Sequence, residues 1–217
     1  MKNIFKIFDN MLIKAEMIVD DNVILPSNIT SIKSFAFSNC EELISITLPN
    51  NIVEIGEYAF HNCKNLKSII FSDKITIINT GVFSNCPSLL SITLPNNITK
   101  IGKIAFWKCL NLTSVEFKDN VIEIDNYAFS GCSSLKSMII PRTVCVIGKG
   151  SFYMCPNVKY KLPISSNIFI IWSLKLMRNR TNWKITSIGN CHNLLRLITA
   201  FTHEPKRTIN YECFGEY

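Results

Sequence analysis

Residues Leu43–Cys63 read LISITLPNNIVEIGEYAFHNC, and the same pattern returns along the chain at a fixed interval. Phenylalanine stands at Phe37, Phe60, Phe83, Phe106, Phe129 and Phe152, and cysteine at Cys40, Cys63, Cys86, Cys109, Cys132 and Cys155. Both series step by 23 residues without a slip. A period of this size is the signature of a solenoid, in which each unit buries its apolar side only against its neighbours.

Working outward, the unit reads Ile-x-x-Ile-(Gly)-x-x-Ala-Phe-x-x-Cys-x-x-Leu-x-Ser-Ile-x-Leu-Pro. Residues alternate in its Leu-x-Ser-Ile-x-Leu part, so Ile69 and Phe71 face one way while Ser68 and Ile70 face the other. A strand that short needs its neighbours, and stacking makes a parallel sheet with a continuous inner core. The phenylalanines then stack about 4.8 Å apart, within reach of one another's rings. Ala-Phe-x-x-Cys reads as a short helical or 3₁₀ turn on the opposite side. Gly56, Gly102 and Gly148 alternate with Asn79 and Asp125 at one corner, where residues that tolerate a left-handed backbone are expected. A second rhythm lies over the first. Ser-Ile-Thr-Leu-Pro-Asn-Asn-Ile occurs at 45–52 and again at 91–98, which points to duplication of a two-unit block.

These features resemble the leucine-rich repeat of the BspA type, also called the Treponema pallidum type. The resemblance covers roughly residues 22–163. It implies an α/β leucine-rich-repeat fold, a right-handed solenoid with a parallel β-sheet on one face and short turns or 3₁₀ helices on the other. For function it implies binding, adhesion or scaffolding, with the partner left open.

Three parts are therefore expected: an N-terminal cap over 1–21, repeats over 22–163, and a degenerate basic tail or cap over 164–217. Asn22-Val-Ile-Leu-Pro26 is in register with Ser45 to Pro49 and reads as the first strand. The amphipathic segment Ile4 to Met17 before it is assigned as the cap. With 47% apolar and 18% charged residues the chain is too apolar for disorder. Its net charge of +7 is unevenly placed. Residues 1–155 carry 14 Lys/Arg against 13 Asp/Glu, whereas 156–217 carry 9 against 3.

The N-terminal segment lacks a signal-peptide core, because Lys6, Asp9 and Lys14 interrupt it, and no apolar run approaches the roughly 20 residues of a membrane span. An intracellular, cytoplasmic protein is expected. The nine cysteines are then read as reduced thiols, since stacked equivalents point in parallel rather than at one another. No Cys-x-x-Cys suggests zinc, and neither a cofactor nor a metal is expected.

Three candidate sites emerge. The exposed side of the sheet carries Ser45 and Thr47, Ser68 and Ile70, Ser91 and Thr93, Ser114 and Glu116, then Ser137 and Ile139. This is a neutral, mildly apolar surface suited to a protein segment. The position after the repeat phenylalanine holds Ser38, His61, Ser84, Trp107, Ser130 and Tyr153, of which His61, Trp107 and Tyr153 are the candidate aromatic patch. The basic tail, with Arg178, Arg180, Trp172 and Trp183, offers weaker support for nucleic acid or an anionic membrane, because its charges are dispersed. Catalysis finds none. His61, His192 and His203 sit at a variable position and in the tail, and the repeat thiols face inward. Protein–protein recognition through the sheet face is the reading adopted, with a surface adhesin as the alternative.

Overall fold

The computed structural model of the chain describes residues 3–161, apart from 142 and 145. In chain order the strands are β1 (Ile4–Phe8), β2 (Met11–Met17), β3 (Asn22–Ile24), β4 (Ser31–Ile32), β5 (Ser45–Thr47), β6 (Glu54–Ile55), β7 (Ser68–Ile70), β8 (Ile77–Ile78), β9 (Ser91–Thr93), β10 (Lys100–Ile101), β11 (Ser114–Glu116), β12 (Glu123–Ile124), β13 (Ser137–Ile139), β14 (Val146–Ile147) and β15 (Lys159–Lys161). Each repeat supplies one two-residue strand and one three-residue strand. The fold is a parallel-sheet solenoid with two strand ladders rather than one.

The longer strands stack as β3-β5-β7 and β9-β11-β13-β15. Ser45 lies opposite Asn22 and Ser68, and Ser114 lies opposite Ser91 and Ser137. The shorter strands stack as β1-β2-β4-β6 and β8-β10-β12-β14. That second ladder, built from Ile-x-x-Ile, was not anticipated in the sequence. Its strands are so short that only pairing with neighbours defines them.

Both ladders are interrupted between the same two units, β6 from β8 and β7 from β9. At the end of β7 the Phe71 ring reaches forward and meets Phe83 of the next unit edge-on, with centroids 5.9 Å apart. Phe117 does the same to Phe129 at 6.1 Å, and there β11 pairs with β13 at only Ser114 and Ser137. Where the strand ends in Leu-Pro the pairing is full, as between β5 and β7 or β9 and β11. The bulky ring at the strand end thus loosens every second junction, which gives the two-unit rhythm a physical consequence.

Between the ladders, Ala-Phe-x-x-Cys forms turns rather than 3₁₀ helices, and no helix occurs among the described residues. The α part of the expected α/β class is therefore not formed there. The reason lies in where the N–H groups point. Tyr58, Phe60 and Asn62 donate to the carbonyls of Thr80, Val82 and Ser84 in the next unit, at 2.9, 2.9 and 2.8 Å. Groups spent along the solenoid axis cannot close helical bonds within the segment. The reversal of direction is made by two left-handed residues per unit. One series is Phe35, Tyr58, Gly81, Ile104, Tyr127 and Gly150; the other is Asn39, Asn62, Asn85, Lys108, Gly131 and Met154.

The corner glycines serve a different purpose from the one expected, since Gly56, Gly102 and Gly148 are not left-handed. They permit close approach. A Cβ on Gly102 would lie 2.8 Å from the carbonyl carbon of Asn79 and the oxygen of Ile78. At Asn79 the side chain joins the ladder instead, its Nδ2 donating to the Ile55 carbonyl at 2.8 Å.

The core is the repeated set of Ile, Leu, Ala, Phe and Cys. Phe37, Phe60, Phe83, Phe106 and Phe129 are fully buried. Successive rings from Phe37 to Phe152 stack nearly parallel with centroids 4.9, 5.5, 5.3, 5.0 and 5.6 Å apart. At the N-terminal end β1 and β2 form an antiparallel hairpin, turned by left-handed Asp9 and Asn10. β2 runs parallel to β4 and extends the shorter-strand ladder. Phe5 meets Phe37 edge-on at 6.4 Å, and Leu12 and Ala15 of β2 are buried. The expected tail, 164–217, lies outside the described residues.

Candidate functional site

On the longer-strand ladder the pleat buries Val23, Ile46, Ile69, Ile92, Val115 and Met138 and turns their neighbours outward. Register places one outward row along Asn22, Ser45, Ser68, Ser91 and Ser114, with Ser137 and Lys159 next in the pairing, and a second along Ile24, Thr47, Ile70, Thr93, Glu116 and Ile139, with Lys161 paired to Ile139. All ten residues singled out in the sequence belong to these rows. Ser68 and Ser91 nevertheless fall on separate sheets, because β7 and β9 do not pair.

Three isoleucines stand out of the surface: Ile24 is 69%, Ile70 63% and Ile139 70% exposed. Ile24 was overlooked in the sequence, although the register of Asn22-Val-Ile-Leu-Pro26 with Ser45 to Pro49 would have supplied it. Between them lie the hydroxyls of Ser45, Thr47, Ser68, Ser91, Thr93 and Ser114, with Asn22 at one end and Glu116 beside Thr93. Ser45 donates to the Asp21 carbonyl at 3.0 Å. Glu116 is neutralised locally. Lys118 Nζ lies 2.6 Å from its Oε1, and the Thr93 hydroxyl donates to its Oε2 at 3.2 Å. These two bonds hold its carboxyl below the usual carboxylate range.

The position after the repeat phenylalanine does not make a continuous aromatic patch. Ser84 and Ser130 are buried and separate His61, Trp107 and Tyr153 by two units each, about 10 Å along the stack. His61 packs edge-on against Tyr58, and Lys108 Nζ sits 4.4 Å from the Trp107 ring centre. The basic tail lies beyond the described residues.

The thiols have a structural explanation. Cys63, Cys86, Cys109, Cys132 and Cys155 each donate to the carbonyl of the phenylalanine one unit earlier, at 3.0 to 3.1 Å. All six described repeat cysteines are free. Burial pushes the Cys40 thiol up to about 11, with Glu42 adding to the effect. Burial also raises Cys109 and Cys132, and hydrogen bonding to Cys86 followed by burial raises Cys63. A protonated thiol enclosed in the core is a hydrogen-bond donor, not a nucleophile. Among the described residues no group of three or more His, Cys, Asp or Glu is placed to hold a metal ion.

The family model for the BspA type leucine rich repeat region matches residues 20–121 and 99–216, with six copies. The chain belongs to this family. Solved structures with a similar fold include a leucine-rich repeat protein from Bacteroides ovatus, at 24% identity and a TM-score of 0.58 over 86% of this chain. The pneumococcal vaccine antigen PcpA gives 22% and 0.62 over 73%, and a leucine rich cell surface protein from Faecalibacterium prausnitzii gives 22% and 0.53 over 76%. The chain spans 59%, 47% and 55% of those three proteins respectively. No curated protein matches it. No helix among the described residues is long and apolar enough to cross a membrane.

Proposed function

We propose that this BspA-type protein is a non-catalytic recognition module that receives a protein segment on the outward face of the longer-strand ladder. The observation that carries this reading is the exposure of Ile24 and Ile70 on either side of Thr47, with Ile139 standing out three units further along the same face. Large apolar groups surrounded by Ser and Thr gain by being covered, and the short side chains allow a partner's backbone to come close. A neutral face favours a neutral or mixed protein surface over a polyanion.

The test is capture of partners by the full chain, by residues 1–163 and by a variant with Ser68, Ser91 and Ser114 changed to Arg. Retention after truncation with loss in the arginine variant supports the face. Loss on truncation alone assigns binding to the basic tail.

A second reading is a cell-surface adhesin. It is favoured by the description of one structural neighbour as a cell surface protein and of another as a vaccine antigen. Protease treatment of intact cells distinguishes the two, since only a surface protein is digested.

A further inference from the structure

The N-terminal hairpin presents a second, separate surface. β1 lies at the end of its sheet, and among the described residues it pairs only with β2, so no described strand takes up the backbone donors and acceptors of its other edge. Three exposed cross-strand pairs run along the outer side of the hairpin: Ile4 with Met17, Lys6 with Lys14, and Phe8 with Met11. Phe8, beside the turn, is 74% exposed.

The middle pair is the informative one. Like charges directly opposite across two strands are destabilising, and neither Lys6 nor Lys14 makes an ion pair among the described residues. A single lysine on β1 would suffice to discourage edge-to-edge association. The second lysine, opposite the first, adds repulsion that an anionic group shared between them would relieve.

We propose that the free edge of β1 accepts an extended peptide strand whose central residue is acidic and whose residues two positions to either side are apolar. Strand addition satisfies the backbone groups of β1. The carboxylate then faces Lys6 and lies within reach of Lys14, while the flanking apolar residues cover Ile4 and Phe8. A second copy of the chain is a poorer occupant, because antiparallel pairing of β1 with itself about its centre sets Lys6 against Lys6. An anionic bilayer would meet the charges, but it would leave the β1 edge unpaired in an apolar medium.

The probe is a blocked seven-residue peptide with glutamate at its centre and valine two positions to either side, beside the same peptide with central lysine. Binding to the full chain is followed by fluorescence anisotropy and by hydrogen exchange of the β1 amides. The glutamate peptide is expected to bind about fivefold more tightly than the lysine peptide and to slow exchange over residues 4–8. In the double variant Lys6→Glu with Lys14→Glu the preference should invert. In Lys6→Gln with Lys14→Gln it should vanish while the melting temperature holds. Unchanged exchange in β1, or a preference that fails to invert, overturns the proposal. So does sedimentation with phosphatidylglycerol vesicles that is lost in the glutamate variant, or a dimer whose contact is β1.

Discussion

The Cys86 thiol donates to the Phe60 carbonyl oxygen across 3.0 Å, joining one repeat to the one before it. That oxygen also receives the Cys63 N–H of its own unit at 3.4 Å. One acceptor thus closes the turn and ties it to its neighbour. Cys86→Ala removes the thiol donor and leaves a small void, at a cost of about 1–2 kcal/mol. Urea titration reads it directly. An unchanged midpoint would mean that the carbonyl is served equally well by the Cys63 N–H alone.

Alkaline pH should weaken the fold through the same row. Cys40 ionises ordinarily near 9 and is pushed up to about 11 in the folded chain. Above 9 the unfolded chain releases this proton while the folded chain keeps it, so deprotonation favours unfolding. The contribution of Cys40 is fully present below pH 9 and is lost as pH rises through 11. Denaturant midpoints taken across that window should therefore fall less steeply in Cys40→Ala than in the native sequence. Equal slopes would show that Cys40 exposes its thiol as readily folded as unfolded.

Phe83 lies between Phe60 at 5.5 Å and Phe106 at 5.3 Å, and Phe71 touches it edge-on. Its side chain is fully buried. Phe83→Ala should cost about 3–5 kcal/mol, since neighbours fixed in a stack cannot collapse into the gap. A loss below about 1 kcal/mol in a denaturant titration would contradict a rigid spine.

The residues of this spine were legible in the sequence because burial repeats the same demand in every unit. Alternation likewise placed Ser68 and Ile70 outward, and both are exposed. The turn was not legible. Ile104 has a φ of 48°, a conformation a β-branched residue ordinarily avoids, so its letter gave no sign of it. It is held there by bonds to another unit, including its own N–H to the Asn126 carbonyl at 3.0 Å. Gly102 was visible as a glycine, but its use depends on the Ile78–Asn79 backbone one unit away. Information that sits between units escapes a reading made unit by unit.

That difference in glycine use is measurable. At Gly102 an added Cβ meets backbone at 2.8 Å, which can yield only by parting the units. At Gly81 the backbone is left-handed with φ at 62°, and the Cβ would meet the Tyr58 ring, which can swing outward. Gly102→Ala should cost about 2–3 kcal/mol and Gly81→Ala about 1–2 kcal/mol. Gly81→Ala combined with Tyr58→Ala should then cost less than the sum of the two single changes. Gly102→Ala has no such rescuing partner among side chains.

Asparagine in the second left-handed series serves backbone and side chain together. Asn62 Nδ2 donates to Asn39 Oδ1 at 2.7 Å, and Asn85 Nδ2 donates to Asn62 Oδ1 at 2.6 Å. Asn62 itself has φ at 59°. Asn62→Gly removes both side-chain bonds but keeps the conformation free of strain, whereas Asn62→Ala removes the bonds and adds the left-handed penalty. The alanine variant should therefore be the less stable of the two by about 1 kcal/mol, with both below the native chain. Should glycine match the native protein, the amide ladder contributes nothing and the residue is there for its backbone alone. Equal losses for glycine and alanine would instead place the whole effect in the ladder.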